Sequence, residues 1–194
     1  MTRIILARHG RPLLDSRTPI PGYGLVTWLE TERDAPLDPA SRPGAELERI
    51  AAAAQLLIAS PLRRSRDSAA LLRPETSATI EEDVREAPLP NGFRSSLRLP
   101  PAVWAAIARA AWFCGWATGV ESFSATRRRA ARAAQRLQTL ATQHGDILVV
   151  GHGLMNALIA GELRARGWSG ARFPSRSHWQ AGRYELPLEP RQLT

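Results

Sequence analysis

"TRIILARHG" (residues 2–10) and "GDILVVGHG" (residues 145–153) share one layout. In each, a short run rich in Ile, Leu and Val stops at a histidine that sits beside glycine. A short apolar run bounded by turn or polar residues reads as a buried β-strand. Each histidine then falls just past the carboxyl end of a strand. In open α/β sheets, sites form at that end. The chain has four histidines in 194 residues, so finding His9 and His152 at equivalent places says where to look for chemistry.

Working outward from the two runs, strands alternate with helices. "LLIAS" (56–60) is another apolar strand and "SATIEE" (77–82) a further one. Residues 43–54, "PGAELERIAAAA", and 61–73, "PLRRSRDSAALLR", read as helices opened by proline. "PPAVWAAIARAAWFCGW" (100–116) is helical and rich in Trp. "SFSATRRRAARAAQRLQTLATQ" (122–143) is a long helix capped by Ser122 or Ser124. "LMNALIAGELRARG" (154–167) is a helix stopped by Gly167, and "SHWQAGRYEL" (177–186) alternates like a final strand. Residues 10–42 are rich in Pro, Gly, Asp and Ser and read as a long irregular connection with a helical turn near "LVTWLETE"; loops of that length are usually functional. The fold class is therefore α/β: a three-layer α/β/α sandwich with a mainly parallel sheet. One domain over 1–194 is expected, with a Trp-rich helical insertion at about 93–121.

Composition narrows the function. All 26 basic residues are arginine, and the net charge is +8. Arginine grips phosphate oxygens two at a time, so a basic, lysine-free chain points to an anionic small molecule or to nucleic acid. The densest basic run, "TRRRAARAAQRLQ" (126–138), places Arg128, Arg132 and Arg136 on one helical face, which reads as a solvated surface. Zinc-finger spacing, an aromatic RNA-binding signature and a basic tail are missing, which argues against nucleic acid. No apolar run approaches the ~20 residues of a membrane helix, and no targeting segment opens the chain; a cytoplasmic protein is expected, with its oligomeric state open. The single cysteine, Cys114, is expected to be a small buried apolar side chain.

Several polar groups converge on the strand ends. Arg8 and His9 follow the first strand, Arg63 or Arg64 begins the helix after "LLIAS", Glu86 follows "SATIEE", and His152 follows "ILVVG". Two histidines, two arginines and a carboxylate suit a phosphoryl group: arginines hold its oxygens, a neutral imidazole attacks phosphorus, and a carboxylic acid protonates the leaving oxygen. Glu81, Glu82 and Asp83 compete with Glu86 for the last role. Metal-ligand spacing is missing, so neither a metal nor another cofactor is expected.

In this order the segments resemble the histidine phosphatase superfamily, the phosphoglycerate mutase-like proteins. The resemblance rests on "ARHG" (7–10), on "SPLRRSRDSA" (60–69), on "VREA" (84–87), on "GVES" (119–122) and on "ILVVGHG" (147–153). It implies His9 as a nucleophile that becomes phosphohistidine and Glu86 as general acid. Arg8, Arg64 (rather than Arg63), His152 and Gly153 would bind phosphate. It implies a phosphatase acting on a small phosphorylated substrate or a phosphoprotein. The alternatives are mutase-type phosphoryl transfer and a non-enzymatic phospho-ligand or RNA-binding protein. The chain departs from the family pattern at "RPLLD" after the first histidine and at Ser68, where Thr is common. His144 reads as a helix-end cation, Trp104, Trp112 and Trp116 as one packed helix face, and His178 and Trp179 as edge packing in the last strand, with the pocket rim as the alternative.

Overall fold

The computed structural model describes residues 2–186, so the ends of the expected domain span lie outside it. In chain order the elements are β1 (Arg3–Arg8), β2 (Ile20–Pro21), α1 (Leu25–Asp34), α2 (Ala45–Ala53), β3 (Leu56–Ala59), α3 (Arg63–Leu72), β4 (Thr79–Ile80), β5 (Arg98–Leu99), α4 (Pro101–Phe113), α5 (Phe123–His144), β6 (Ile147–Gly151), α6 (Gly153–Ala165), β7 (Ser169–Gly170) and β8 (Ala181–Glu185). The main sheet runs β4-β3-β6-β1-β8-β7. β4, β3, β6 and β1 are mutually parallel, and β8 closes antiparallel on β1.

The alternation of the strands explains the layers. Ile4, Leu6, Ile58, Ile147 and Val149 face α5 and α6, where they meet Ala130, Ala134, Leu137, Met155 and Ile159. Ile5, Ala7, Leu57, Leu148 and Val150 face the other way, onto Leu47 and Ala51 of α2 and Ala69 and Leu72 of α3. Successive side chains point to opposite faces of a sheet, so strands apolar at every position must be covered on both sides. A third, smaller cluster packs Leu25 of α1 against Trp104 and Ala108 of α4.

Several expectations need correcting. The 10–42 connection holds a full ten-residue helix, α1, because Leu25 finds an apolar partner surface on α4. "SATIEE" pairs only at Thr79 and Ile80; Glu82–Val84 turn into a 3-10 helix, begun by the Glu81 side chain accepting from the Asp83 N–H. Cys114 is exposed, since it lies one residue past the end of α4. Trp104 and Trp112 are buried on α4, whereas Trp116 lies beyond the helix and packs against Phe93 at 4.9 Å between ring centroids. The last strand begins at Ala181 rather than Ser177, which leaves His178 and Trp179 in the turn before it. Among the described residues, no helix is long and apolar enough to cross a membrane.

Candidate active site

Sheet register builds the centre of the site. β1 and β6 are parallel neighbours with Arg8 opposite Gly151. The next residue on each chain is a histidine, so His9 and His152 leave the sheet side by side. Their rings meet edge to face with centroids 5.0 Å apart, and both are buried. β3, on the far side of β6, ends at Ala59 and delivers Ser60 and the first turn of α3.

The tautomer of His9 follows from its partners. His9 Nδ1–H donates to the Gly10 carbonyl at 2.7 Å. Its Nε2 therefore carries the lone pair, and Arg64 Nε–H points at that atom from 3.1 Å. His152 Nε2 lies 2.8 Å from the Ser60 hydroxyl and 3.3 Å from that of Ser65. The Ser60 oxygen also accepts the Leu62 N–H, and either the hydroxyl or the ring N–H can donate between Ser60 and His152. His152 Nδ1 and the Arg8 Nε are buried without a protein partner. Burial, reinforced by Arg64 and Arg8, holds His9 well below the ordinary value of 6.5. Burial does the same for His152, with His9 and Arg64 next in weight. Both rings are thus neutral near pH 7.

Arg64, not Arg63, faces the histidines. Arg64 is 4% exposed, and its NH1 contacts both the carboxylate and the carbonyl of Glu32 at 3.3 Å. Arg63 lies outside, paired with Asp67 at 3.4 Å. Burial pushes the Glu32 carboxyl up, against the pull of Arg64. Arg8 donates to the Arg176 carbonyl, and its guanidinium passes over Gly153, where a Cβ would lie 3.8 Å from Arg8 Nε.

Among the neighbouring acids, Glu86 is the one turned inward. Its Oε1 accepts the Ala87 N–H at 2.9 Å and the Met155 N–H in the first turn of α6 at 3.3 Å; both bonds fall on one oxygen. Asp83 instead pairs with Arg132 at 3.1 Å, Glu81 lies 3.8 Å from Arg136, and Glu82 is exposed. The Glu86 loop is hung on Arg129, which is 1% exposed. Arg129 donates to the carbonyls of Asp83 (2.9 Å), Arg85 (2.7 Å) and Glu86 (3.4 Å). Glu121 of "GVES" balances its charge at 2.9 Å. Ser122, not Ser124, caps α5.

Glu32, Ser60, Ser65 and Arg129 are not singled out by the sequence, Ser68 stands there only as a departure from the family pattern, and edge packing is read ahead of the pocket rim for His178. Arg129 did leave a signal: it falls on the Thr126–Ala130–Ala133–Leu137 stripe of α5, the buried face, where an arginine needs a partner. His178 is corrected by the turn it occupies. Its ring lies 5.2 Å from that of His9. Among the described residues, no group of three or more His, Cys, Asp or Glu is arranged to hold a metal ion.

The sequence profile of the histidine phosphatase superfamily (branch 1) matches residues 4–193. The chain belongs to that superfamily. No curated protein sequence matches it. Among solved structures, it is similar to a mycobacterial glucosyl-3-phosphoglycerate phosphatase, with 22% identity and a TM-score of 0.56 over 84% of this chain and 79% of that one. It is also similar to a putative alpha-ribazole-5'-P phosphatase from Escherichia coli, with 22% identity and a TM-score of 0.54 over 84% and 80%. A third is the phosphoserine phosphatase from Entamoeba histolytica, solved with 3-phosphoglyceric acid, with 19% identity and a TM-score of 0.51 over 85% and 81%. At these identities the likenesses establish the fold.

Proposed function

We propose that this protein is a phosphomonoesterase that works through a phosphohistidine on His9, without a metal ion. One observation carries the reading: the lone pair on buried His9 Nε2 meets Arg64 Nε–H at 3.1 Å, and the neighbouring Arg8 Nε–H and His152 Nδ1 are both buried without a protein partner. A buried polar group without a partner is costly, and a phosphoryl group offers acceptors to the arginine donors and, with Nδ1 protonated, to His152.

The reaction divides in two. His9 Nε2 attacks phosphorus in line with the leaving oxygen. The P–O bond breaks as the N–P bond forms, and Glu86 gives its proton to the departing alcohol. Arg64 moves its hydrogen bond from Nε2 to a non-bridging oxygen, and Arg8 and His152 hold the others as charge shifts. Glu86 then takes a proton from water, which attacks phosphorus and releases inorganic phosphate and neutral His9. Oε2 of Glu86 carries the proton, since Oε1 is committed to two backbone donors. The Arg8 guanidinium lies over Gly153, where a Cβ would make only ordinary van der Waals contact with it.

The substrate is a small phosphorylated metabolite; the likeness to phosphatases of such compounds supports that class. Phosphate release in the presence of a chelator, across sugar phosphates, nucleotides, phosphoglycerates and phosphopeptides, tests the reading. Wild type is expected to turn over at least one of the small esters, and His9→Ala to retain under about 10⁻³ of that rate, the scale of nucleophile deletions. Activity that vanishes in chelator and returns with Mg²⁺ would contradict it.

A further inference from the structure

His9 can attack in line only if its imidazole is held, and a displacement of about 1 Å in such a site costs on the order of 10²-fold. The ring is bonded through Nδ1–H to the Gly10 carbonyl, so its orientation follows that of the His9–Gly10 peptide, which leads directly into that carbonyl. That peptide is gripped at both ends. Its N–H, on Gly10, donates to Ser68 Oγ at 2.8 Å, and Ser68 in turn donates to the Arg64 carbonyl at 2.6 Å. Its carbonyl, on His9, accepts from His178 Nδ1–H at 3.0 Å. The His178 ring also lies against the His9 ring, with centroids 5.2 Å apart at 53°.

The turn that brings His178 there is strained. Trp179 has φ 63°, and it is the one non-glycine residue with positive φ among those described. A bulky aromatic in that region is an outlier, and it persists where surrounding contacts over-determine it. Here they do. Trp179 N–H donates to the Arg8 carbonyl at 3.1 Å and its Nε1–H to Ser41 Oγ at 2.8 Å. Arg8 N–H returns a bond to the Gln180 carbonyl at 3.0 Å. The indole fills the space beside Gly10, where a Cβ would come within 2.3 Å of it. The turn is locked to the nucleophile's own loop, and what it presents to that loop is His178.

We propose that His178 is a positioning residue for the nucleophile, acting with Ser68 as the second jaw of a clamp on the His9–Gly10 peptide. The proposal rests on His9 as the attacking residue. Ser68 ties the peptide to the helix that carries Arg64, and His178 fixes its rotation about that tie. No contact of His178 with substrate is required.

Three variants separate the donor from the ring. His178→Asn keeps an N–H near the position of Nδ1, His178→Phe keeps a ring and loses the donor, and His178→Ala loses both. The measurement is the single-turnover rate of His9 phosphorylation from nitrophenyl phosphate, together with steady-state kcat and KM. His178→Phe and His178→Ala are expected to slow phosphorylation and kcat about 10–100-fold with KM unchanged, and His178→Asn to recover most of the loss. A Phe variant as fast as wild type overturns the clamp. So does an Asn variant as slow as Phe, which assigns the effect to the ring, or a loss confined to KM, which assigns His178 to substrate contact. A wild type that turns over without labelling His9 removes the nucleophile and the clamp together. A labelled wild type with an equally fast Phe variant overturns the clamp alone.

Discussion

The two halves of the site are held by different means. His9 and His152 are placed by backbone: adjacent parallel strands, one register, and one more residue on each chain. Glu86 is placed by side chains. Its loop follows a strand only two residues long and is held by a buried guanidinium from α5, forty-odd residues away from the carbonyls it serves and itself balanced by Glu121. A sheet-end group therefore keeps its place in the fold as long as the ladder stands, and side chains such as Ser68 and His178 have only the fine orientation of the His9 ring left to set. A loop group of this kind depends on single side chains and can be lost without disturbing the fold.

Glu86→Gln strikes the loop half alone. Alkyl phosphates leave as strongly basic alkoxides and need a proton, whereas nitrophenolate leaves without one. We expect the variant to slow alkyl phosphates by roughly 10²–10⁴ and nitrophenyl phosphate far less, with His9 still phosphorylated. Equal slowing of both esters, with the leaving-group dependence appearing instead in Glu82→Gln or Asp83→Asn, would move the acid to another residue.

Arg129→Met cuts the support instead of the acid. Removing one partner of a buried ion pair costs about 3–5 kcal/mol, so chemical denaturation should show a loss of that order. Part of it should return in the double variant Arg129→Met/Glu121→Gln, which no longer leaves a carboxylate whose remaining partner is Arg85 at 3.8 Å. At temperatures where the single variant is folded, it should show the same leaving-group dependence as Glu86→Gln. A destabilised protein with an unaltered leaving-group profile would mean that Arg129 holds the fold but not the acid.

The sheet-end half is tested through pH. His9 and His152 have folded-state values well below 6.5, so as pH falls through about 6.5 the unfolded chain takes up protons that the folded chain refuses. Stability contributed by the neutral rings is complete above that pH and is lost progressively below it. Unfolding free energy should therefore decline from pH 7 to pH 5, more gently in His152→Asn than in wild type. A wild-type stability that is flat across this window would mean that the rings are not buried neutral.

This contrast also explains what the sequence made legible. The continuous apolar runs "IILA" and "ILVV" disclose a sheet covered on both faces, and with it the place of His9, Arg8 and His152. "SPLRR" after a strand leaves Arg63 and Arg64 both open, and the family resemblance selects Arg64. Edge elements were misread where local pattern and tertiary contact disagree. "SHWQ" alternates like a strand, yet Trp179 turns out of the ladder because its indole packs on Gly10 and its ring nitrogen reaches Ser41. α1 was underestimated because its apolar partner lies on α4, some 80 residues on. Glu32 was invisible for the same reason: nothing near it in sequence places it on Arg64. Side chains that meet only through folding leave no spacing to read.

Trapping the intermediate tests the central claim most directly. Wild-type protein is mixed for milliseconds with a ³²P-labelled phosphomonoester that it hydrolyses, quenched in alkali and mapped by peptide. The label should be acid-labile and base-stable, should sit on the peptide containing His9, and should disappear at a rate no slower than turnover. Steady turnover with no label on His9, or with label on His152 or His178 instead, would contradict it.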